Sequence, residues 1–297
     1  MTDTSLAVAC YPWLTYAPLY VAERRGLFAE ESLRIDIRRH TGRWSALIDR
    51  LDDDVDLIIG NAWFALRASS TQRPQCVVAP CGLNCRFVIV TSSARPVRPF
   101  EWTDLLGCTV AVPTGIPTPW FALLEALRRT GIRSESVGLL VGYDDDEACS
   151  ELIAGRLDYA LTDLDNAQRH GLREVTGLAD VLGPVPWSVF CASASRVGAD
   201  PVPYQRFRRA IGSALRWIAS SSDEEVAQTV AAEYQHLPAD VLIRATRRYR
   251  ELQVWAPDER LSMTSLKEWE DALLLSGGVV APSDLAAILP FDSDALG

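Results

Sequence analysis

Aromatic side chains recur at one kind of position in this chain: at the ends of apolar runs that read as strands. Trp13 and Tyr16 follow Ser5 to Cys10, Trp44 follows Leu33 to Arg38, and Trp63 follows Leu57 to Ile59. Trp120 comes soon after Thr109 to Val112, Tyr143 follows Val137 to Val141, and Trp187 opens the run Ser188 to Ala192. In open α/β sheets ligands lie beyond the carboxyl ends of the strands, so this set is expected to wall a cleft. The competing use of such side chains is core packing, because aromatics bury large areas. Aromatic walls stack on planar rings or hold cations, whereas an anion calls for arginine forks or the free N–H groups of a helix start. Thr41-Gly42-Arg43-Trp44-Ser45 and Pro113-Thr114-Gly115-Ile116-Pro117-Thr118 each place hydroxyls and glycine at a helix start, which suits a carboxylate, sulfonate or phosphate. Otherwise Thr41, Ser45 and Thr118 are simple N-caps. Asn61, directly after the third strand, offers an amide donor and acceptor.

Catalysis would need a nucleophile beside a base. Cys10 ends the first strand and His40 follows the second, so Cys10 with His40 is one candidate pair and Cys191 with His40 the other. A strand cysteine is also simply a small apolar side chain. Asp163 closes the strand Tyr159 to Thr162 and is placed to meet a ligand amine or to act as a base. Asp144-Asp145-Asp146-Glu147 opens a helix, where acidic residues favour the macrodipole. Cys81 and Cys85 lack the second pair or nearby histidine that a zinc site needs, so no metal is expected, and no cofactor. His170 and His236 lie in polar stretches and are expected to be solvated, and Lys267 falls in the helical tail.

Apolar runs alternate with amphipathic stretches through most of the 297 residues, the pattern of parallel sheets with helical crossovers. The class is α/β. At 48% hydrophobic residues the chain can bury two cores of about 150 residues each. After Ala192 the pattern is helical, and a helical tail builds no third sheet. The tail is therefore expected to pack on the first lobe, giving lobe I as 1–89 plus 190–297 and an inserted lobe II as 90–189. Phe87 to Thr91 and Ser188 to Ala192 would be the hinge crossovers. A net charge of -10, with every basic residue except Lys267 an arginine and none gathered into a stripe, argues against nucleic acid. No run approaches the roughly 20 apolar residues of a membrane span.

The segment Ala17-Pro18-Leu19-Tyr20-Val21-Ala22-Glu23-Arg24-Arg25-Gly26-Leu27-Phe28-Ala29-Glu30-Glu31 resembles the opening of solute-binding proteins for sulfonates, taurine, nitrate and thiamine pyrimidine precursors, the NMT1/THI5-like group. Val55-Asp56-Leu57-Ile58-Ile59-Gly60, and its counterpart Leu157-Asp158-Tyr159-Ala160-Leu161-Thr162-Asp163, resemble that family's step from helix through a short turn into a strand. The resemblance implies a two-lobed type II periplasmic-binding-protein-like fold that closes on a small aromatic, heterocyclic or anionic metabolite. The alternative is a cofactor-independent lyase, decarboxylase or hydrolase built on the same fold. The iron-linked pyrimidine synthases of this fold carry a run of cysteines where this chain has only Cys191. Met1 to Ala9 reads as a first strand rather than an export signal, and seven cysteines suit a reducing compartment, so the expected address is the cytoplasm. A transporter permease becomes a partner only if the chain is exported.

Overall fold

A computed structural model describes residues 4–51, 53–113, 115 and 117–292. Ten strands run in chain order: β1 Thr4–Cys10, β2 Leu33–Arg39, β3 Leu57–Gly60, β4 Gln75–Gly82, β5 Phe87–Thr91, β6 Thr109–Pro113, β7 Gly138–Tyr143, β8 Tyr159–Asp163, β9 Arg173–Gly177 and β10 Ser188–Ser193. The α-helices are α1 Ala17–Arg24, α2 Leu27–Glu30, α3 Trp44–Asp49, α4 Trp63–Ala68, α5 Thr118–Arg129, α6 Asp145–Ile153, α7 Leu164–Arg169, α8 Ala179–Leu182, α9 Ala194–Ala199, α10 Val202–Ser220, α11 Asp223–Val230, α12 Ala239–Glu251, α13 Met263–Ser276 and α14 Leu285–Ile288.

The chain divides into two compact units. Unit 1 is Met1–Leu83, Val185–Ala239 and Trp255–Gly297, and unit 2 is Asn84–Pro184 and Asp240–Val254. Unit 1 holds a sheet of order β2-β1-β3-β10-β4 and unit 2 a sheet of order β7-β6-β8-β5-β9. In each, four strands run the same way and the one that is fourth in spatial order runs against both its neighbours: β10 between β3 and β4, β5 between β8 and β9. The sheets are therefore mixed rather than purely parallel. The runs read as hinge crossovers are these two antiparallel strands, and every residue of both is buried. A strand covered on both faces loses the alternation that would betray it. The sequence reading also missed β9, an edge strand whose Arg173 and Glu174 mask its apolar character.

Local chemistry explains several element boundaries. Pro18 sits in the first turn of α1, where its missing N–H is not needed. Ser222 and Glu225 form a reciprocal capping box at the start of α11, and Gly277 ends α13 in the left-handed conformation with φ 75°. In unit 1, α10 lays Phe207 against Phe28 of α2 and Phe190 of β10, with ring centroids 5.3 and 4.8 Å apart. Not all of the helical tail belongs to unit 1: α12 groups with unit 2. Its Tyr249 hydroxyl donates to Asp165 Oδ1 at 2.8 Å and Arg248 Nε to Glu174 Oε2 at 2.9 Å, while Asn84 Nδ2 donates to the Leu252 carbonyl just beyond it at 3.0 Å. No helix of the described residues is long and apolar enough to cross a membrane.

Candidate functional site

Beyond the carboxyl ends of β1 and β2, two loops are pinned together. The His40 amide donates to the Cys10 carbonyl at 2.8 Å, and the Tyr11 hydroxyl donates to the Gly42 carbonyl at 2.8 Å. His40 Nε2 donates to the Arg43 carbonyl at 3.1 Å, which fixes the ring against its own loop. Gly42 has φ 142°, a conformation that side chains rarely adopt, so glycine is needed for this turn. On this platform the Tyr11 and Trp13 rings stack, with centroids 4.4 Å apart and planes 13° from parallel. His40 meets Tyr11 edge-on at 5.1 Å, and Tyr16 lies 5.7 Å from Trp13. Tyr11 and Trp13 are half-buried, whereas Tyr16 and His40 are buried. Burial pushes the Tyr11 hydroxyl up to about 12, so it remains a neutral donor at physiological pH.

A second aromatic group forms where α3 and α4 begin. Trp44 meets Trp63 edge-on at 5.0 Å and lies nearly parallel to Phe64 at 6.2 Å. The exposed Arg67 guanidinium sits 5.5 Å from both indole centroids, a cation–π arrangement. Gly60, the last residue of β3, is required by this packing, because a Cβ there would meet the Phe64 ring at 2.2 Å. Trp44 is half-buried and Arg43 exposed, but Trp63 is buried and its indole N–H is bonded to the Gly278 carbonyl at 2.6 Å.

Asn61 is committed to the fold. Its Nδ2 donates to the Trp187 carbonyl at 3.0 Å, while its Oδ1 accepts from the Trp63 amide at 2.9 Å and from Trp269 Nε1 at 3.0 Å. Trp187 is likewise buried, 6.1 Å from the Trp269 ring. Asn61→Leu removes three buried hydrogen bonds at once and is expected to lower unfolding free energy by about 2–3 kcal/mol. Urea denaturation followed by tryptophan fluorescence reads this, and an unchanged midpoint would contradict the assignment.

The thiol candidates do not assemble with the imidazole. Cys10 Sγ lies 3.3 Å from the Tyr20 hydroxyl, and burial pushes its thiol up to about 11. Cys191 lies inside the sheet of unit 1, paired with Ile58 and Val77, and complete burial pushes its thiol up as well. Among the described contacts neither sulfur shares a hydrogen bond with His40. Thiolates are the reactive form, and these sites disfavour them.

In unit 2, Gly115 is exposed, Thr118 is buried in the first turn of α5, and Trp120 and Tyr143 are half-buried. Thr114, expected beside them, lies outside the described residues. Asp163 ends β8 and caps α7: its Oδ1 accepts from the Asn166 amide at 3.0 Å, and its Oδ2 from Arg86 Nη1 at 2.5 Å. Two further aspartates share this polar centre. Thr162 Oγ1 donates to Asp145 Oδ1 at 3.3 Å, and Asp165 accepts from Tyr249. Burial first, then the Asp163 carboxylate, raise the Asp145 carboxyl to about 7 and the Asp165 carboxyl to about 6. Among the described residues no group of three or more His, Cys, Asp or Glu is arranged to hold a metal ion.

Sequence reasoning passed over Tyr11, Arg67, Arg86 and Asp165. Tyr11 was within reach of the rule that found Trp13, since it directly follows β1. Arg86 carried one faint signal, a lone charge between Cys85 and the apolar run that begins at Phe87.

Two mixed five-stranded sheets of the same strand order, with aromatic loops beyond the carboxyl ends of parallel strands, define a protein of the periplasmic-binding-protein fold. The chain belongs to the NMT1/THI5-like family, whose model matches residues 13–225. It is 23% identical over 260 residues to "Putative binding protein YtlA" of Bacillus subtilis (strain 168), an alignment covering 86% of this chain and 77% of that one. Among solved structures it is similar to the periplasmic aliphatic sulphonate binding protein SsuA from Escherichia coli. That match has TM-score 0.75 and 16% identity, and covers 97% of this chain and 92% of that one. It is also similar to the desulfurization enzyme DSZB, with TM-score 0.67 and 17% identity, covering 96% of each chain.

Proposed function

We propose that this chain reversibly binds a small organic molecule that carries a planar ring and an anionic group. The observation that carries the reading is the stacked, half-buried Tyr11–Trp13 pair with His40 at its edge, held beyond the ends of β1 and β2 by Gly42. Aromatic faces that are fixed in place yet open to solvent offer stacking area at little entropic cost. The exposed Arg43 beside them supplies a cation for a carboxylate, sulfonate or phosphate. The name of the sulphonate-binding relative is in keeping with an anionic ligand. Within unit 2 taken by itself, we propose Thr114, Gly115, Thr118, Trp120, Tyr143 and Asp163 as ligand-contacting residues.

Thermal denaturation in the presence of sulfonates, pyrimidines, aromatic acids and amines tests the reading. A ligand at about 100 times its Kd stabilises the native state by about 2.7 kcal/mol, which raises the melting temperature by several degrees. A panel with no stabilising compound would count against binding. A second reading, catalysis on the same site, is favoured by the similarity to a desulfurization enzyme. Mass spectrometry of each stabilising compound after incubation separates the two, because a binder returns it unchanged. The cytoplasm is retained as the proposed compartment, since the buried cysteines serve as apolar packing groups that a reducing environment preserves.

A further inference from the structure

In unit 2 a single guanidinium serves three carboxyls. Arg86 is 2% exposed, Asp163 8% and Asp165 7%, and Asp145 stands in the first turn of α6 behind Thr162, which is fully buried. If all three aspartates were ionised, one positive and three negative charges would leave a net charge of −2 in a centre where Arg86, Asp163 and Asp165 are buried and Asp145 is half-buried. Such a site relieves itself by binding protons. Asp163 accepts from Arg86 and from the Asn166 amide. Asp145 and Asp165 accept from neutral donors, the Thr162 and Tyr249 hydroxyls.

We propose that unit 2 stores protons on Asp145 and Asp165, beside the Arg86–Asp163 pair, and that their release as pH rises from mildly acidic to neutral loosens the first turns of α6 and α7. The mechanical link is Thr162, whose hydroxyl donates to Asp145 of α6 while accepting from Asn166 Nδ2 of α7 at 3.4 Å. Deprotonation puts like charges at the starts of both helices, Asp145 on one side and Asp163 with Asp165 on the other. The groups facing this centre are Arg86 before β5, Asp163 at the end of β8, Asp165 on α7, Tyr249 on α12 and Cys149 on α6. Asp146, Arg169 and His170 tie the same two helices together at the surface, with His170 Nε2 3.0 Å from Asp146.

The sign follows from linkage. Both carboxyls bind protons more tightly in the folded chain than in the unfolded one. Their stabilisation is therefore complete below the ordinary aspartate value of about 4 and is lost as pH rises through about 6 to 7. These two turns follow β7 and β8 at their carboxyl ends, so the device would make the mobility of one part of the proposed ligand-contacting surface depend on pH.

Hydrogen exchange of the intact protein between pH 5 and 8, corrected for the intrinsic rate at each pH, tests this. Opening of segments 145–153 and 164–169 is expected to rise by up to about tenfold per pH unit for each proton released, with α10 of unit 1 as the flat comparator. Asp145→Asn should reduce that slope, whereas His170→Gln should leave it in place. A flat profile in the wild type, or an undiminished slope in Asp145→Asn, overturns the proposal. Should Asp145→Asn fail to fold, infrared spectroscopy of the wild type decides. A protonated-carboxyl carbonyl band present at pH 5 and lost by pH 8 supports the proposal, and its absence at pH 5 contradicts it.

Discussion

Replacing Arg86 by methionine is expected to remove about 3–5 kcal/mol of stability, enough to unfold unit 2 in moderate urea. The guanidinium is 2.5 Å from Asp163, and its charge acts on Asp145 and Asp165 as well. Methionine preserves much of the side chain's bulk, so the loss reports charge rather than a cavity. The double variant Arg86→Met with Asp163→Asn is expected to recover part of it, since asparagine still caps α7 and no longer needs a counter-charge. By contrast Arg156→Met, which breaks the solvent-exposed Arg156–Glu151 pair, should change stability by less than about 0.5 kcal/mol. Equal urea midpoints for Arg86→Met and Arg156→Met would show that the buried cluster is not organised around Arg86.

Trp13→Ala is expected to weaken ligand binding by at least about tenfold and up to several hundredfold while leaving the fold in place. A central aromatic anchor is worth about 2–3 kcal/mol in a binding site. The backbone of Trp13 would keep its place, because its carbonyl accepts from the Tyr234 hydroxyl at 2.8 Å through an atom that the substitution retains. Trp63→Ala should behave in the opposite way. That indole is buried against Trp44 and Phe64 and bonded to Gly278, so truncation is expected to cost about 3–5 kcal/mol of stability. These outcomes would separate wall from core, although both tryptophans follow strands in the sequence.

That separation marks the limit of what could be read from the chain alone. The parallel strands were legible because their apolar runs are bounded by turns and followed by amphipathic helices, and β1, β2 and β6 begin and end within a residue of expectation. The direction and pairing of the two antiparallel strands were not. Phe87 to Thr91 and Ser188 to Ala192 are buried on both faces, and a uniformly apolar run carries no period from which to infer direction or partner. The strand-end rule located Trp13 and Trp44, which remain half-open to solvent. Applied to Asn61, Trp63 and Trp187, the same rule placed side chains at strand ends without revealing that α13 and the turn after it would cover them. Trp269 and Gly278 lie more than 200 residues from Asn61 and Trp63, and no local pattern encodes such contacts. The clustering of Asp145, Asp163 and Asp165 about Arg86 is hidden for the same reason. One capping aspartate, one strand-end aspartate, one helix aspartate and a lone arginine become a single electrostatic unit only when β5 is inserted beside β8.

Calorimetric titration of the most strongly stabilising compound into wild type and Trp13→Ala tests the binding proposal most directly. The account predicts saturable binding at one site per chain in the wild type, and affinity at least about tenfold weaker in a Trp13→Ala protein that melts as cooperatively as the wild type. Equal affinity in the two proteins would contradict a site built on the Tyr11–Trp13 wall.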